Sequence, residues 1–327
     1  MAVKTLIEAI RDAMDEEMER DPSVFVIGED VGVRGGVFLA TDGLANKYGE
    51  DRVIDSPLAE SSIVGVAIGA AANGMRPIAE IQFADFIGPA YNQIVQEAAR
   101  FCYRSAGDFC LPMVIRAPWG GGVHGAIYHS QSIEATFGHV PGLKVVVPGT
   151  PADAKGLLKA AIRDPDPVLF LEHKRTYRLI RGEVPDGDHL VAIGTAEVRR
   201  EGKDLSLIAY GLMLHYCLEA AEKLAGEGVS VEVLDLRSIK PMDDAAILKT
   251  TRKTGKVLIV HEDNQFGGIA GEVMAIIMES AFDALDAPVM RLCGPDVPAM
   301  PYNHVLEAAF MPSVDRIAEK ARELAAY

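Results

Sequence analysis

Two stretches of the sequence hold side chains whose types and spacing suit proton chemistry. In Asp55-Ser56-Pro57-Leu58-Ala59-Glu60-Ser61, a carboxylate sits where a short apolar run gives way to a helical pattern. Ligands of open α/β sheets collect in the crevice beyond the carboxyl ends of the strands, so Glu60 points toward such a crevice. Leu58, Ala59, Ile63 and Val64 around it are apolar, and burial among them raises a carboxyl pKa and favours the protonated form. A helix N-terminus pulls the other way, and a glutamate that merely complements the helix dipole is the alternative. The second stretch, His124-Gly125-Ala126-Ile127-Tyr128-His129-Ser130-Gln131-Ser132, places two histidines and several hydrogen-bonding side chains on a glycine-rich loop, where function concentrates. It offers an acid–base histidine, a structural one, or a metal site with His124, His129 and His139 as ligands. The spacings of five and ten residues set no two of these on one helical face, and no carboxylate ligand is fixed nearby.

A literal Gly-x-Gly-x-x-Gly occurs at Gly120-Gly121-Gly122-Val123-His124-Gly125. Dinucleotide binding also needs a helix opening there and an acidic residue about 20 positions on, where this chain has Val145-Val146-Val147. The segment reads instead as a flexible loop presenting its flanking residues. No P-loop, Gly-x-Ser-x-Gly elbow or His-Glu-x-x-His helix occurs.

The elements that must position these residues alternate along the chain. A helix opens at Thr5-Leu6-Ile7-Glu8, a capping-box pattern, and stops at Asp21-Pro22. Buried-strand patterns follow at 24–27, 52–55, 78–83, 113–116, 144–147 and 168–172, with helices at 60–73, 90–104 and 152–162. Such alternation predicts an α/β fold with a mainly parallel sheet covered by helices. The pattern becomes polar between 182 and 203 and restarts with strands at 205–209, 229–234, 256–260 and 289–292, helices at 214–226, 243–251 and 268–282, and a closing helix at 314–326. The domains are therefore set at 1–188 and 204–327, joined by a linker at 189–203.

Composition narrows the function class. With 327 residues and 49% hydrophobic content, two soluble domains are expected. The longest uncharged apolar stretch, 63–72, is half of what a membrane-crossing helix needs, and the N-terminus lacks a secretory pattern, which predicts a cytoplasmic protein with no membrane partner. A formal charge of −15 with no Lys/Arg run beyond two argues against nucleic acid. Cys102, Cys110, Cys217 and Cys293 are scattered without a Cys-x-x-Cys pair, so neither disulfides nor a zinc cluster are expected.

Six collinear motifs add a family. Gly28-Glu29-Asp30-Val31-Gly32, Asp55-Ser56-Pro57-Leu58-Ala59-Glu60, Glu80-Ile81-Gln82-Phe83-Ala84-Asp85-Phe86, His129-Ser130-Gln131-Ser132, Pro141-Gly142-Leu143-Lys144-Val145-Val146 and Asp153-Ala154-Lys155-Gly156-Leu157-Leu158 occur in one order. Together they make the chain resemble the β subunits of the thiamine-diphosphate-dependent component of pyruvate and branched-chain 2-oxo-acid dehydrogenases. The resemblance implies a transketolase-like pyrimidine-binding domain followed by a transketolase C-terminal domain. It also implies that Glu60 hydrogen-bonds the aminopyrimidine ring and favours its imino tautomer, a role suited to a protonated or proton-sharing carboxyl. Phe86 would pack on that ring, where branched-chain members often carry Tyr, and Leu58 and Gln82 would line the pocket. His129 would serve acyl transfer to a lipoyl arm, and His124 receives no role. A structural potassium ion is implied on the main-chain carbonyls of Met113, Ala161, Ile162, Asp164 and Asp166.

The family anchors the diphosphate through Mg²⁺ on a Gly-Asp-Gly segment, which this chain lacks. The resemblance therefore implies an α subunit that holds Mg²⁺ and diphosphate in an α2β2 tetramer, and a β chain inactive alone. It further implies docking of a lipoyl acyltransferase core through the C-terminal domain, at a surface including Asp296 and Tyr327; a turn residue is the plainer reading of Asp296. For substrate, Phe83-Ala84-Asp85-Phe86 and His129-Ser130-Gln131-Ser132-Ile133-Glu134 look closer to branched-chain members. Asp296-Val297-Pro298 with Met300-Pro301-Tyr302 looks closer to pyruvate members, with Ala299 inserted. The branched-chain 2-oxo acid is preferred, with pyruvate and then acetoin as alternatives. A noncatalytic subunit of the same fold would lose Glu60 or His129, and both are present.

Overall fold

A computed structural model describes residues 1–327, and the chain forms two compact units. The first comprises 1–119 and 136–193, and the second 120–135 and 194–327, so the segment bearing His124 and His129 groups with the second.

In the first unit six strands lie in the spatial order Lys144–Val146, Val168–His173, Val114–Trp119, Arg76–Glu80, Val24–Gly28, Val53–Asp55, and every pairing is parallel. The near-continuous apolar runs that marked these strands follow from burial on both faces. One face is covered by the helices Leu6–Arg20 and Pro151–Arg163, which pack on each other through Leu6, Ile10, Met14, Ala154, Leu157 and Leu158. The Thr5 capping box is formed: its hydroxyl accepts from the Glu8 N–H while Glu8 accepts from the Thr5 N–H. Ahead of it, Ala2–Thr5 pairs antiparallel with Arg181–Val184, an exposed two-stranded ribbon that alternation of buried runs could not reveal.

The helix expected at 90–104 is replaced by a broken run: a 3₁₀ turn Ala84–Ala90, a π turn Gln93–Glu97, a second 3₁₀ turn Ala98–Arg100 and one α turn, Phe101–Arg104. Pro89 has no N–H to donate inside the first of these, which interrupts the regular ladder. The run ends in a loop that brings Cys102 and Cys110 to 3.9 Å, sulfur to sulfur, although their sequence separation suggested no pairing.

In the second unit the order is Met290–Gly294, Val257–Asn264, Leu205–Ala209, Val231–Asp235, Glu197–Arg200. All pairings are parallel except the last, which is antiparallel and bulged at Val233/Leu234. Residues 197–200 fall inside the stretch read as linker. Their half-exposed polar side chains hid a strand sitting at the sheet edge. Helices Leu212–Ala225 and Val314–Ala325 close a core of Leu214, Cys217, Leu224, Leu258, Ile317 and Leu324. No helix is long and apolar enough to cross a membrane.

Candidate functional site

Three strand ends of the first unit converge on Glu60. The strand Val24–Gly28 lies between Val53–Asp55 and Arg76–Glu80, and the chain visits one side and then the other, so its carboxyl end is a switch point. Glu29 follows the central strand, Glu60 opens the helix Glu60–Ala72 after one neighbour, and Gln82 and Phe86 follow the other. Glu60 is 8% exposed and Glu29 9%. Burial and the nearby charges of Glu60 and Asp30 push the Glu29 carboxyl up, while a bond from the Ala59 N–H opposes them. Its Oε1 is buried without a hydrogen-bond partner. Burial and the Glu60 charge thus both favour the neutral form of Glu29.

Glu29 directly follows its strand, as Glu60 follows the next one, and the same strand-end signal applied to it without a role having been expected. Gln82 Nε2 reaches the Glu29 carbonyl at 3.5 Å and the Asp30 carboxylate at 3.4 Å. Phe86 stands edge-on to Phe83 at 5.7 Å and is half-buried. Leu58, close to Glu60 in the sequence, is 79% exposed. An orphaned carboxyl oxygen on Glu29, the neighbouring Glu60 carboxyl, an amide and an aromatic ring form a donor and acceptor set that fits an aminopyrimidine.

His129 lies on a loop that the second unit pins rather than leaves flexible. Glu262 accepts from the Gly121 N–H at 2.9 Å and from the Ser132 hydroxyl at 3.4 Å. Buried Glu307 accepts from the Gly122 and His124 N–H groups at 3.0 and 3.1 Å, and its other oxygen lies 2.6 Å from His124 Nδ1. Tyr210 donates to Glu134 at 2.9 Å. Burial, then the charges of Asp263 and Glu262, hold the Glu134 carboxyl well above its ordinary range. Asp263 is pushed up to about 6, by burial first, and His261 down to about 4 by burial.

These carboxylates hold a backbone that would otherwise resist its shape. His124 and Ala126 have φ of 57° and 56°, in the left-handed region that costs an L-residue roughly 1–2 kcal/mol. Gly125 lies against His129: a Cβ there would come within 2.7 Å of the His129 Cβ and carbonyl oxygen. A small cleft beside the loop is lined by Ser130, Ser132, Glu262, Met300 and Phe310. His124 therefore serves as an anchor on Glu307. The signal for Glu262 was its place at the end of an apolar strand; Glu307 gave none.

The five carbonyl-bearing residues gather at the opposite, amino-terminal edge of the first sheet. Met113 precedes Val114–Trp119 and its carbonyl accepts from Val168 N at 3.0 Å. Ala161 and Ile162 end the helix Pro151–Arg163, where carbonyls lack intrahelical donors. Arg76 Nη1 donates to the Ile162 carbonyl at 2.8 Å and the Asp164 carbonyl at 3.3 Å. Lys144 bonds the Asp164 carboxylate at 2.6 Å and pairs with Asp166 at 3.2 Å. Two of the five carbonyls thus already accept from a guanidinium, and each carbonyl has a second lone pair.

Comparison with known proteins identifies both units. Residues 3–180 match the family "Transketolase, pyrimidine binding domain" and residues 194–317 "Transketolase, C-terminal domain". The chain is 60% identical over 327 residues to the 2-oxoisovalerate dehydrogenase subunit beta of Bacillus subtilis, covering 100% of each chain. It is 47% identical over 324 residues to the pyruvate dehydrogenase E1 component subunit beta of the same organism, covering 99% of each. A mitochondrial 2-oxoisovalerate dehydrogenase subunit beta from Dictyostelium discoideum is 50% identical over 298 residues, 90% of this chain and 80% of that one. Among solved structures, a split-gene transketolase described as an inactive beta4 tetramer has TM-score 0.79 and 26% identity, covering 98% of each chain.

Proposed function

Since the chain belongs to the β subunits of the decarboxylating component of 2-oxo-acid dehydrogenase complexes, we propose that its substrate is a branched-chain 2-oxo acid and that it acts in an α2β2 tetramer. The observation that carries the substrate reading is the gap between 60% identity to the 2-oxoisovalerate protein and 47% to the pyruvate protein. Thiamine diphosphate supplies, when bound, a carbon nucleophile for the 2-oxo group and a sink for the electron pair released with CO₂. Glu60, with Glu29 beside it, would hold a proton at a ring nitrogen; Gln82 and Phe86 would orient the ring, the latter by flat contact. Leu58 would complete the pocket wall. Mg²⁺ and the diphosphate fall to the α subunit, because no Gly-Asp-Gly segment is present.

Potassium on the carbonyls of Met113, Ala161, Ile162, Asp164 and Asp166 belongs to the same reading, as does a cytoplasmic location, which the free state of all four cysteines supports. The lipoyl acyltransferase would dock on the second unit near Asp296 and Tyr327. Asp296 is exposed and accepts from the Phe266 N–H at 2.9 Å, and Tyr327 is 63% exposed.

Reconstitution with an α subunit tests the central reading. The tetramer is expected to favour 2-oxoisovalerate over pyruvate by about tenfold or more in kcat/KM, and the β chain alone to be inactive. Equal or reversed preference would overturn the branched-chain assignment, and turnover by the lone chain would overturn the two-subunit one.

His129→Ala should lower acyl transfer to a lipoyl domain by about 10²-fold or more, while decarboxylation with an artificial electron acceptor falls far less. Equal losses in the two assays would instead put His129 in the shared early step.

A further inference from the structure

The strongest grouping of metal-ligand side chains lies outside the candidate active site, and it uses the Asp166 carboxylate rather than its carbonyl. Cys102, Cys110 and Asp166 bring two sulfurs and a carboxylate oxygen within 4.8 Å of one another. We infer that these three residues form a site for a borderline-soft divalent cation of the zinc class, with water completing the coordination.

Geometry favours this over a cysteine pair awaiting oxidation. The sulfurs stand 3.9 Å apart. Two thiolates on one tetrahedral zinc, each at about 2.3 Å, lie roughly 3.8 Å apart. A disulfide requires about 2.05 Å, so the sulfurs would have to close nearly half their separation. The loop that carries them is built to hold the observed spacing. The Ser105 hydroxyl accepts from the Phe109 N–H at 3.1 Å and donates to the Cys102 carbonyl at 3.1 Å, while Gly107 N donates to that same carbonyl at 2.9 Å. Phe101 and Phe109 meet edge to face at 6.1 Å. Asp166 is set between Pro165 and Pro167, and its N–H donates to the Asp164 carboxylate at 2.9 Å, so its position is also fixed before any ligand arrives.

Charge points the same way. Two thiols and a carboxylate in one place offer a cation two soft donors and a negative charge. Lys144, 3.2 Å from the Asp166 carboxylate, is the cation paired with the cluster, and it is shared with Asp164. A divalent ion would displace one proton from each thiol and form two metal–sulfur bonds. Thiolates exclude the hard cations Mg²⁺ and Ca²⁺. Cys102 is half-buried and Cys110 exposed, which gives an ion a path in. The bound ion would tie the 101–110 loop to the 164–166 turn.

The full-length chain, reduced and stripped with a chelator, is to be titrated with Co²⁺ and followed by its near-ultraviolet thiolate charge-transfer band. Uptake of about one equivalent with release of protons is expected, reversed by Zn²⁺. Cys102→Ser and Cys110→Ser should each abolish the band, and Asp166→Asn should weaken Co²⁺ binding about tenfold or more with the thiol count unchanged. Saturating Zn²⁺ should raise the thermal midpoint of the parent and leave that of Cys110→Ser where it was. Absence of a band, a band surviving in either serine variant, or unchanged affinity in Asp166→Asn would overturn the site. A Cys102–Cys110 disulfide in the isolated chain, with no metal uptake after reduction, would overturn it equally.

Discussion

Glu60→Gln is expected to leave assembly with the α subunit intact and to lower 2-oxo-acid decarboxylation by about 10²–10⁴-fold, the range lost with a positioned acid–base group. The side chain opens its helix at a residue whose N-cap, Ala59, offers no side-chain bond, so no capping interaction is removed. Glutamine also fills nearly the same buried volume. What the amide cannot do is exchange a proton with the neighbouring Glu29 carboxyl or with a ring nitrogen. The charge of Glu60 is the second cause of Glu29's raised pKa, after burial, so in the variant the Glu29 carboxyl should titrate closer to its ordinary value. The loss should fall on kcat with KM little changed, because the interaction strengthens as the reaction proceeds. Steady-state turnover of the reconstituted tetramer with an artificial electron acceptor, alongside its thermal midpoint, decides the matter. Turnover within an order of magnitude of the parent, with the fold intact, would remove Glu60 from the chemistry.

How far the sequence revealed this site depended on whether each cause was local. The Thr5 cap, the strand Leu205–Ala209 and the helix opening at Glu60 are written in neighbouring residues, and the structure places them where those residues put them. Glu29 is different, because its meeting with Glu60 follows from parallel pairing of Gly28 with Asp55, a register set by the whole sheet. Glu262 and Glu307 reach the loop across 141 and 185 residues, and no periodicity encodes that distance. The strands Ala2–Thr5, Arg181–Val184 and Glu197–Arg200 were missed for a third reason: each is short and largely polar, stabilised by its partner's backbone rather than by an apolar face. In the broken run near Pro89, helical propensity over a long window lost to one missing donor.

Arg116→Met should cost the first unit about 3–5 kcal/mol, which is the loss expected when one partner of a buried ion network is removed. Arg116 and Glu172 are both 0% exposed and Glu80 is 4%. Three adjacent strands present these side chains to one another: Arg116 donates to Glu172 at 2.6 and 2.7 Å and to Glu80 at 2.5 Å, and Tyr177 adds a hydroxyl to Glu172 at 2.5 Å. Methionine fills the stem of the arginine yet leaves two carboxylates facing each other in the dark of the sheet. Burial already raises the Glu80 pKa, and the Arg116 charge is the largest influence opposing it, so removing the guanidinium raises it further. A carboxyl whose folded pKa lies above its unfolded one stabilises the fold below the unfolded value, and that contribution disappears as pH rises through the folded one. The variant should therefore lose more stability at about pH 8 than at about pH 5. Thermal unfolding of the full chain at both values checks this, with a fall in midpoint of about 10 °C expected at the higher pH. Adding Glu80→Gln and Glu172→Gln to Arg116→Met should recover much of the loss, since no uncompensated charge then remains. A midpoint unchanged at both pH values would show that the network contributes nothing to the fold, and a larger fall at the acidic end would overturn the predicted pH dependence. Gln82 lies two residues beyond Glu80 on the same chain segment, so weakening the network should also loosen the floor on which the Glu60 and Glu29 carboxyls meet.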